Sequence, residues 1–310
     1  LSSGALPCSV GSEFYDSFCG GFAGDDGYLS EIYGNPDLDA ETSTAWYLGS
    51  VFNLGDRTTL TLDYWNFDQR DLVDIDPLEL FRQALVDPSL IYNSRPRAGD
   101  ANQRVLLPGV IGIATRGGDI GDPVDDVQLQ LINIGQQRTD GIDLSLEHAF
   151  RESDIGQFDA YLDLTWTHSF ERSESCSPND VSTRRGAGPC SGGQRLFERV
   201  GEFRYPEWLV NTGLSWARGA WSARLWVNYV DGYYDDDELS NVPEGRRVAS
   251  WTTLGASVNW DIDDRQSLGL NIRNLGDRDP PRALGSANNF DDYNHNSLGR
   301  FVTFSYIYRH

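Results

Sequence analysis

Gln157-Phe158-Asp159-Ala160-Tyr161-Leu162-Asp163-Leu164-Thr165-Trp166-Thr167-His168-Ser169-Phe170 alternates without a break. Phe158, Ala160, Leu162, Leu164 and Trp166 fall on one side, and Asp159, Tyr161, Asp163, Thr165 and Thr167 on the other. A β-strand sends successive side chains to opposite faces, so period 2 over this length reads as a long strand with one apolar face. Strands of soluble sheets usually run about 5–6 residues. A tilted strand needs about 9–11 residues to cross a bilayer, and this stretch is long enough.

The same pattern recurs on both sides of it. Upstream, Ile142, Leu144 and Leu146 oppose Asp143, Ser145 and Glu147, and Leu60, Leu62 and Tyr64 oppose Thr59, Thr61 and Asp63. Downstream, Trp208 to Trp216 turns at Arg218-Gly219 into Trp221 to Val230, and Trp251 to Trp260 turns at residues 261–264 into Ser267 to Arg273. Arg300 to His310 closes the chain, with Val302, Phe304, Tyr306 and Tyr308 in phase. Adding Thr42 to Leu54 and Thr58 to Phe67 around the tight turn Gly55-Asp56-Arg57 gives nine strands. That number takes Val127 to His148 as one strand interrupted near Gly135 to Gly141; two strands there would make ten. Nine is favoured because long polar loops then alternate regularly with short turns, as in outer-membrane barrels with long extracellular loops and short periplasmic turns. Within the long stretch 68–126, Asp76 and Pro77 read as the cap and first position of a short helix to Val86.

These features predict an all-β chain: a portion of a transmembrane antiparallel β-barrel. Trp166, Trp208, Trp216, Trp221, Trp251 and Trp260 mark strand ends, where barrels carry aromatic girdles. Composition agrees. Hydrophobic residues make up 39% of the 310 residues, yet there are 9 Trp, 14 Tyr, 14 Phe and 32 Gly, as expected when only alternate positions face lipid. A soluble β-sandwich or propeller is the competing architecture; those have shorter strands and inner faces packed by Val, Ile and Leu. The net charge of −22 argues against a nucleic-acid partner, because phosphate backbones attract cationic surfaces. The chain opens on Leu1, holds no methionine and shows no leader with a basic start, so Leu1 reads as an internal position of a longer product.

Four cysteines form two local pairs, Cys8 with Cys19 and Cys176 with Cys190, in segments that read as loops. An even count at short spacing suggests two within-loop disulfides and an oxidising compartment. Each would stabilise its loop by roughly 3 kcal/mol on the chain-entropy model. No Cys-x-x-Cys occurs, which weakens the reading as a zinc site.

Four segments carry a family resemblance. Gly34-Asn35-Pro36-Asp37-Leu38-Asp39-Ala40-Glu41-Thr42-Ser43 resembles the Asn-Pro-x-Leu-x-x-Glu entry to a barrel strand in TonB-dependent receptors. Thr139-Asp140-Gly141-Ile142-Asp143-Leu144 is similar to their Thr-x-Gly-hydrophobic-acidic segment. Asn271-Ile272-Arg273-Asn274-Leu275-Gly276-Asp277-Arg278-Asp279-Pro280 is similar to their late Asn-Leu-x-Asp-x-x-Pro motif, and Gly299 to Tyr308 to their closing strand. Each alone is weak; four in the right order are specific together. The resemblance implies a 22-stranded barrel with a plug folded inside it, of which residues 1–310 supply the C-terminal part without the plug, the TonB box and the preceding strands. It further implies a Gram-negative outer-membrane location among lipid and lipopolysaccharide, coupling to TonB through the plug, and no cofactor. The expected activity is energised uptake of an extracellular small molecule such as a siderophore, cobalamin or an oligosaccharide. Two other classes compete: a passive porin or structural barrel lacking a plug, and a secreted carbohydrate-binding β domain.

No catalytic constellation is present: His148, His168, His295 and His310 stand apart, with no Gly-x-Ser-x-Gly, His-Glu-x-x-His or P-loop. The chain does not read as an enzyme. The candidate ligand contacts are Tyr233, Tyr234, Asp235 and Asp236 in the loop after Val230, His295 in the last long loop, and Arg224 and Trp226 in the polar phase of their strand. Adjacent rings and carboxylates suit a sugar, a cationic group or Ca²⁺, but the spacing is not that of an EF-hand, and a solvated loop explains the same residues. Arg224 and Trp226 equally suit contact with a plug.

Overall fold

The computed structural model describes residues 2–4, 28–76, 80, 83, 91–92, 112–116, 124–176, 193–235, 246–286 and 288–309. These hold seventeen strands: β1 (Ser2–Gly4), β2 (Tyr28–Tyr33), β3 (Thr42–Asn53), β4 (Thr58–Asp74), β5 (Ile91–Tyr92), β6 (Gly112–Arg116), β7 (Val124–Gln130), β8 (Ile132–Ala149), β9 (Gln157–Cys176), β10 (Gly193–Glu198), β11 (Trp208–Arg218), β12 (Trp221–Val230), β13 (Tyr233–Tyr234), β14 (Arg247–Val248), β15 (Trp251–Asp261), β16 (Gln266–Arg273) and β17 (Phe301–Tyr308). They divide into two compact units.

The first unit comprises Leu1–Thr44, Asp68–Gln137 and Arg172–Phe197. Its sheet runs β1-β2-β7-β6-β5, with β2 and β7 parallel. Leu80, Val127 and Leu129 are its fully buried apolar residues. Leu80 and Gln83 are helical, and the Leu80 N–H donates to the Asp76 carbonyl at 3.2 Å, where the sequence places a helix start.

The second unit comprises Ala45–Phe67, Arg138–Glu171 and Glu198–His310. Its strands belong to a ten-stranded antiparallel sheet, in the order β17-β16-β15-β12-β11-β9-β8-β4-β3, with β10 paired to β9 off that path. The nine along the path correspond to the nine read from the sequence, joined at the expected turns, whereas β10 was not read as a strand. Gly55 and Gly219 take φ of +78° and +58°, a conformation that costs a residue with a Cβ energy and glycine almost none.

Register fixes the two faces. Leu214 pairs with Leu225, Val227 with Leu254, Val258 with Leu270, and Leu270 with Phe304, so the apolar phase stays continuous across five strands. Its side chains have no protein cover: Trp46 and Phe304 are each 69% exposed. The polar phase carries Asp63, Asp143, Asp159, Asp163, Asn211, Arg224 and Asn259.

Two expectations change. The break in the Val127 to His148 stretch falls at Leu131, not between Gly135 and Gly141. The Leu131 N–H donates to the Tyr33 carbonyl at 3.1 Å, and residues before it belong to the smaller sheet. Gly135 and Gly141 sit inside β8 because bulk approaches there: a Cβ would strike Leu72 at Gly135 and the Trp65 ring at Gly141. Trp251, grouped by sequence with exposed strand-end rings, is 7% exposed, and its indole N–H donates to the Asp279 carbonyl at 3.1 Å. Of the other strand-end tryptophans, Trp166 stacks on Trp208 at 5.7 Å and Trp221 on Trp260 at 5.4 Å between ring centroids, while the Trp216 indole N–H donates to the Ile155 carbonyl at 2.7 Å.

Candidate ligand site and loop cap

Three connecting segments of the second unit interlock into one cap through their described residues, 199–206, 231–235 with 246–250, and 274–300 apart from residue 287. Its centre is the buried trio Tyr233, Val248 and Ala283, with Phe203 packed against it. Burying apolar side chains orders loops that sequence alone would leave solvated. The β13–β14 ladder supplies Tyr233 and Val248 as a register pair.

Polar groups fasten the cap. The Tyr233 O–H donates to Asp291 Oδ2 at 2.7 Å, and both side chains are fully buried. Asn294 Nδ2 donates to the same oxygen at 2.8 Å, and the Tyr293 N–H to Asp291 Oδ1 at 2.9 Å. Asn294 also donates to the Arg204 carbonyl at 3.0 Å, tying the last loop to the first. Asp235 accepts the N–H groups of Leu284 at 2.7 Å and Gly285 at 3.0 Å and pairs with Arg246 at 3.3 Å. Arg246 in turn donates to the Arg282 carbonyl. Burial, with the hydrogen bond to Asp291 second, raises the Tyr233 phenol well above its ordinary value, so it stays a neutral donor.

At the edge of this cap, Glu198 is held ionised. Burial pushes its carboxyl upward, but hydrogen bonds from the Ser169 hydroxyl and the Val200, Phe170 and Arg199 N–H groups together lower it below the ordinary range.

The polar face of the sheet bears two concavities. One, of about 480 Å³, has walls of Tyr47, Trp65, Phe67, Phe170 and Tyr205, with Thr139, Asp143, Arg204 and Asn294 as its polar groups. Phe170 and Tyr205 stack at 4.5 Å, and Tyr47 meets Phe67 edge-on at 5.5 Å. Arg204 lies over the Tyr293 ring at 4.1 Å and the Phe203 ring at 5.0 Å, and has a left-handed φ of +75°. Backbone strain of that kind costs on the order of 1–3 kcal/mol and is found most often at functional positions. The second concavity, about 690 Å³, is polar: Arg57, Glu147, His148, Asp159, Asp163 and Arg224 are among its lining residues. Arg224 lies over Tyr161 at 4.7 Å, and the Tyr161 O–H donates to Asn211 at 2.9 Å.

The sequence-selected residues therefore separate. Arg224 lines the polar concavity. Trp226, on the same face, lies across the backbone of Gly255, where a Cβ would strike its ring. Tyr234 is half-buried beneath Arg247, whose guanidinium lies 5.3 Å from its ring centre. Tyr233, Asp235 and His295 are buried inside the cap. Asp236, Cys8, Cys19 and Cys190 lie outside the described residues, as does the side chain of Cys176, whose backbone ends β9. Sequence reasoning missed Arg204, Tyr205 and the rings on β3 and β4; the one available signal was the run of aromatics Tyr64, Trp65 and Phe67 in a strand whose odd phase is otherwise polar.

Comparison with known proteins gives one family. A family described as TonB dependent receptor-like, beta-barrel, matches residues 9–275. No curated protein sequence matches. Among solved structures, the chain is similar to the ferric enterobactin receptor PfeA of Pseudomonas aeruginosa bound to enterobactin, a Q482A mutant, at 17% identity and a TM-score of 0.53, over 90% of this chain and 33% of that one. It is similar to the siderophore receptor PirA from Acinetobacter baumannii at 16% identity and 0.52, over 89% and 33%, and to the FrpB iron transporter from Neisseria meningitidis at 10% and 0.50, over 89% and 32%. The chain thus spans about a third of the length of these structures.

Proposed function

The chain belongs to the TonB dependent receptor-like β-barrel family, and from that premise we propose that it forms the C-terminal wall and part of the loop cap of an outer-membrane receptor for active uptake. The observation that carries this is the continuous apolar face along the sheet's nine-strand path, left uncovered by protein while the opposite face is polar. Water would penalise such a face by roughly 25 cal/mol for each Å² of apolar surface; lipid would not. Lipid and lipopolysaccharide meet that face in a Gram-negative outer membrane. A plug and further strands, contributed by more of the same protein, meet the polar face and the free strand edges, and TonB acts through the plug.

The proposed solute is a compact chelating small molecule of the siderophore kind, ahead of cobalamin or an oligosaccharide. The aromatic concavity of about 480 Å³ lies within the roughly 300–1,000 Å³ of sites for drug-sized molecules. The names of similar receptors for ferric enterobactin and siderophores support the same class. Arg204, Tyr205 and Asn294 form the cap side of that site, Trp65 and Phe67 the wall side, and Arg224 and Trp226 line the path beyond it. Tyr234, half-buried beneath Arg247, offers a further contact, whereas Tyr233, Asp235 and His295 hold the loops. The test is uptake of radiolabelled ferric siderophores by cells producing the whole receptor, with and without TonB. Uptake lost with TonB and lowered by Arg204→Ala is the expected result. Solute entry indifferent to TonB would overturn it in favour of a passive porin.

A further inference from the structure

His295 is not used by the uptake reading, yet it sits at the centre of the cap. It is 6% exposed, and neither Nδ1 nor Nε2 has a hydrogen-bond partner. Packing alone holds the ring: it stacks against Tyr233 at 6.2 Å and 13° and meets Trp251 edge-on at 5.3 Å and 72°. A neutral imidazole tolerates that setting. An imidazolium there would be a buried charge with two N–H donors and no acceptor, which is strongly unfavourable.

The groups around it decide what protonation would do. Its own segment carries Asp291 and Asp292, β13 and the residue after it bring Tyr233 and Asp235, the β14 side brings Arg246 and Arg247, and segment 199–206 brings Arg204; Trp251 and Thr252 at the start of β15 are uncharged. Asp235 and Asp292 already face Arg246 and Arg204, at 3.3 and 3.5 Å. Asp291 is the counter-charge that acts on His295, and its carboxylate already receives Tyr233, Asn294 and the Tyr293 N–H. To reach an acceptor, a protonated His295 must draw Asp291 away from Tyr233 and Asn294 or leave the core. Either move disturbs Asn294, whose amide bonds both Asp291 and the Arg204 carbonyl and so joins the last loop to the first.

We propose that His295 is a proton-sensitive pin of the loop cap, so that mild acid loosens the cap beside the aromatic concavity. The regulatory meaning rests on that concavity being the solute site. Burial lowers the His295 pKa from its ordinary value, more than Asp291 raises it. A group with a depressed folded value stabilises the closed cap above the open-state value near 6.5, and that stability is lost as pH falls below it. Glu198, whose carboxyl is lowered, gives stability that is present above the ordinary carboxylate value and is lost only as pH falls below it, so its loss begins at lower pH than that of His295.

The experiment is hydrogen–deuterium exchange on the whole receptor in detergent micelles without any solute, at about pH 7.5 and about pH 5, corrected for chemical exchange. Because no solute is present, the outcome is independent of whether uptake is observed. The expected result is a several-fold loss of protection at the lower pH in peptides covering 231–235 and 288–300. Strand β9 should be unchanged, and His295→Phe should keep its protection within about twofold across the same step. No loss in the unsubstituted receptor overturns the proposal, whatever the variant does. An equal loss in His295→Phe, or in His295→Gln if the Phe variant is already unprotected at the higher pH, overturns it as well.

Discussion

Gly255 shows how a single small residue shapes the polar face. Its neighbour Trp226 lies across the space a Cβ would fill, just as Tyr161 lies across Gly213 and Trp65 across Gly141. A ring laid flat on a glycine keeps a bulky group on the sheet surface without blocking the space in front of it. Gly255→Val should push the Trp226 ring off the sheet and cost about 1–3 kcal/mol, as overpacking usually does. A lowered guanidinium midpoint and a shifted tryptophan emission would show it; an unchanged midpoint would contradict the contact. In the cap, Tyr233→Phe removes one donor from a buried carboxylate that keeps two others, so the expected cost is about 1–3 kcal/mol. Protease sensitivity should rise within the cap and not in the strands; uniform sensitivity would mean the hydrogen bond is not local to the cap. Neither role was legible in the sequence. Period 2 assigns a face to Trp226, but its partner sits on the neighbouring strand, and the register that joins them is set by turns and pairing far along the chain. Tyr233 and Asp291 are 58 residues apart, so nothing local announces that a tyrosine chosen as a ligand contact is a buried donor.

At the scale of the strand, alternation was sufficient. The nine strands along the sheet's path were readable because each turns one face to a single environment along its length, which stamps period 2 on at least four positions, whereas the six-residue β10 was not. The ladder of β13 and β14 was not, because two residues cannot show a period. The division at Leu131 was also hidden. Val127 and Leu129 continue the alternation of β8 into the smaller sheet, and the Tyr33 carbonyl that receives the Leu131 N–H is nearly a hundred residues away. The two faces of β12 make a direct test of the environment assigned to each. Leu225 points to the apolar face and Asn228 to the polar one. Leu225→Arg should destabilise the inserted sheet by about 2–4 kcal/mol if its position is near mid-bilayer, while Asn228→Arg should cost little. Heat-modifiable gel migration measures the folded fraction of each. Equal loss in both variants would mean that the two faces see the same solvent.

For the molecule as a whole, charge and hydropathy act on different surfaces. The sequence carries a net charge of −22, while rings and aliphatic groups crowd the apolar face of the second unit. A high net charge normally keeps proteins apart in water. Here it leaves the apolar face uncompensated, because no acidic residue interrupts Leu214, Leu225, Leu254, Val258, Leu270 and Phe304. The sheet adds a second cause of self-association. Among the described residues, β3 pairs only with β4 and β17 only with β16, so each presents an outer row of backbone donors and acceptors. Exposed edges of that kind recruit further strands. The apolar face was legible in the sequence and the solute was not, because lipid imposes a repeating demand on every strand while a ligand touches a few side chains gathered from distant segments. Residues 1–310 expressed alone should therefore associate in buffer despite their charge, and should disperse when detergent covers the apolar face. Size-exclusion chromatography with light scattering separates the alternatives. A monomer in plain buffer at moderate salt would mean that water tolerates this face, and the membrane reading would fail with it. Association that persists in detergent but yields to edge charges, such as Phe301→Lys with Thr303→Lys on β17, would place the cause in the strand edges instead.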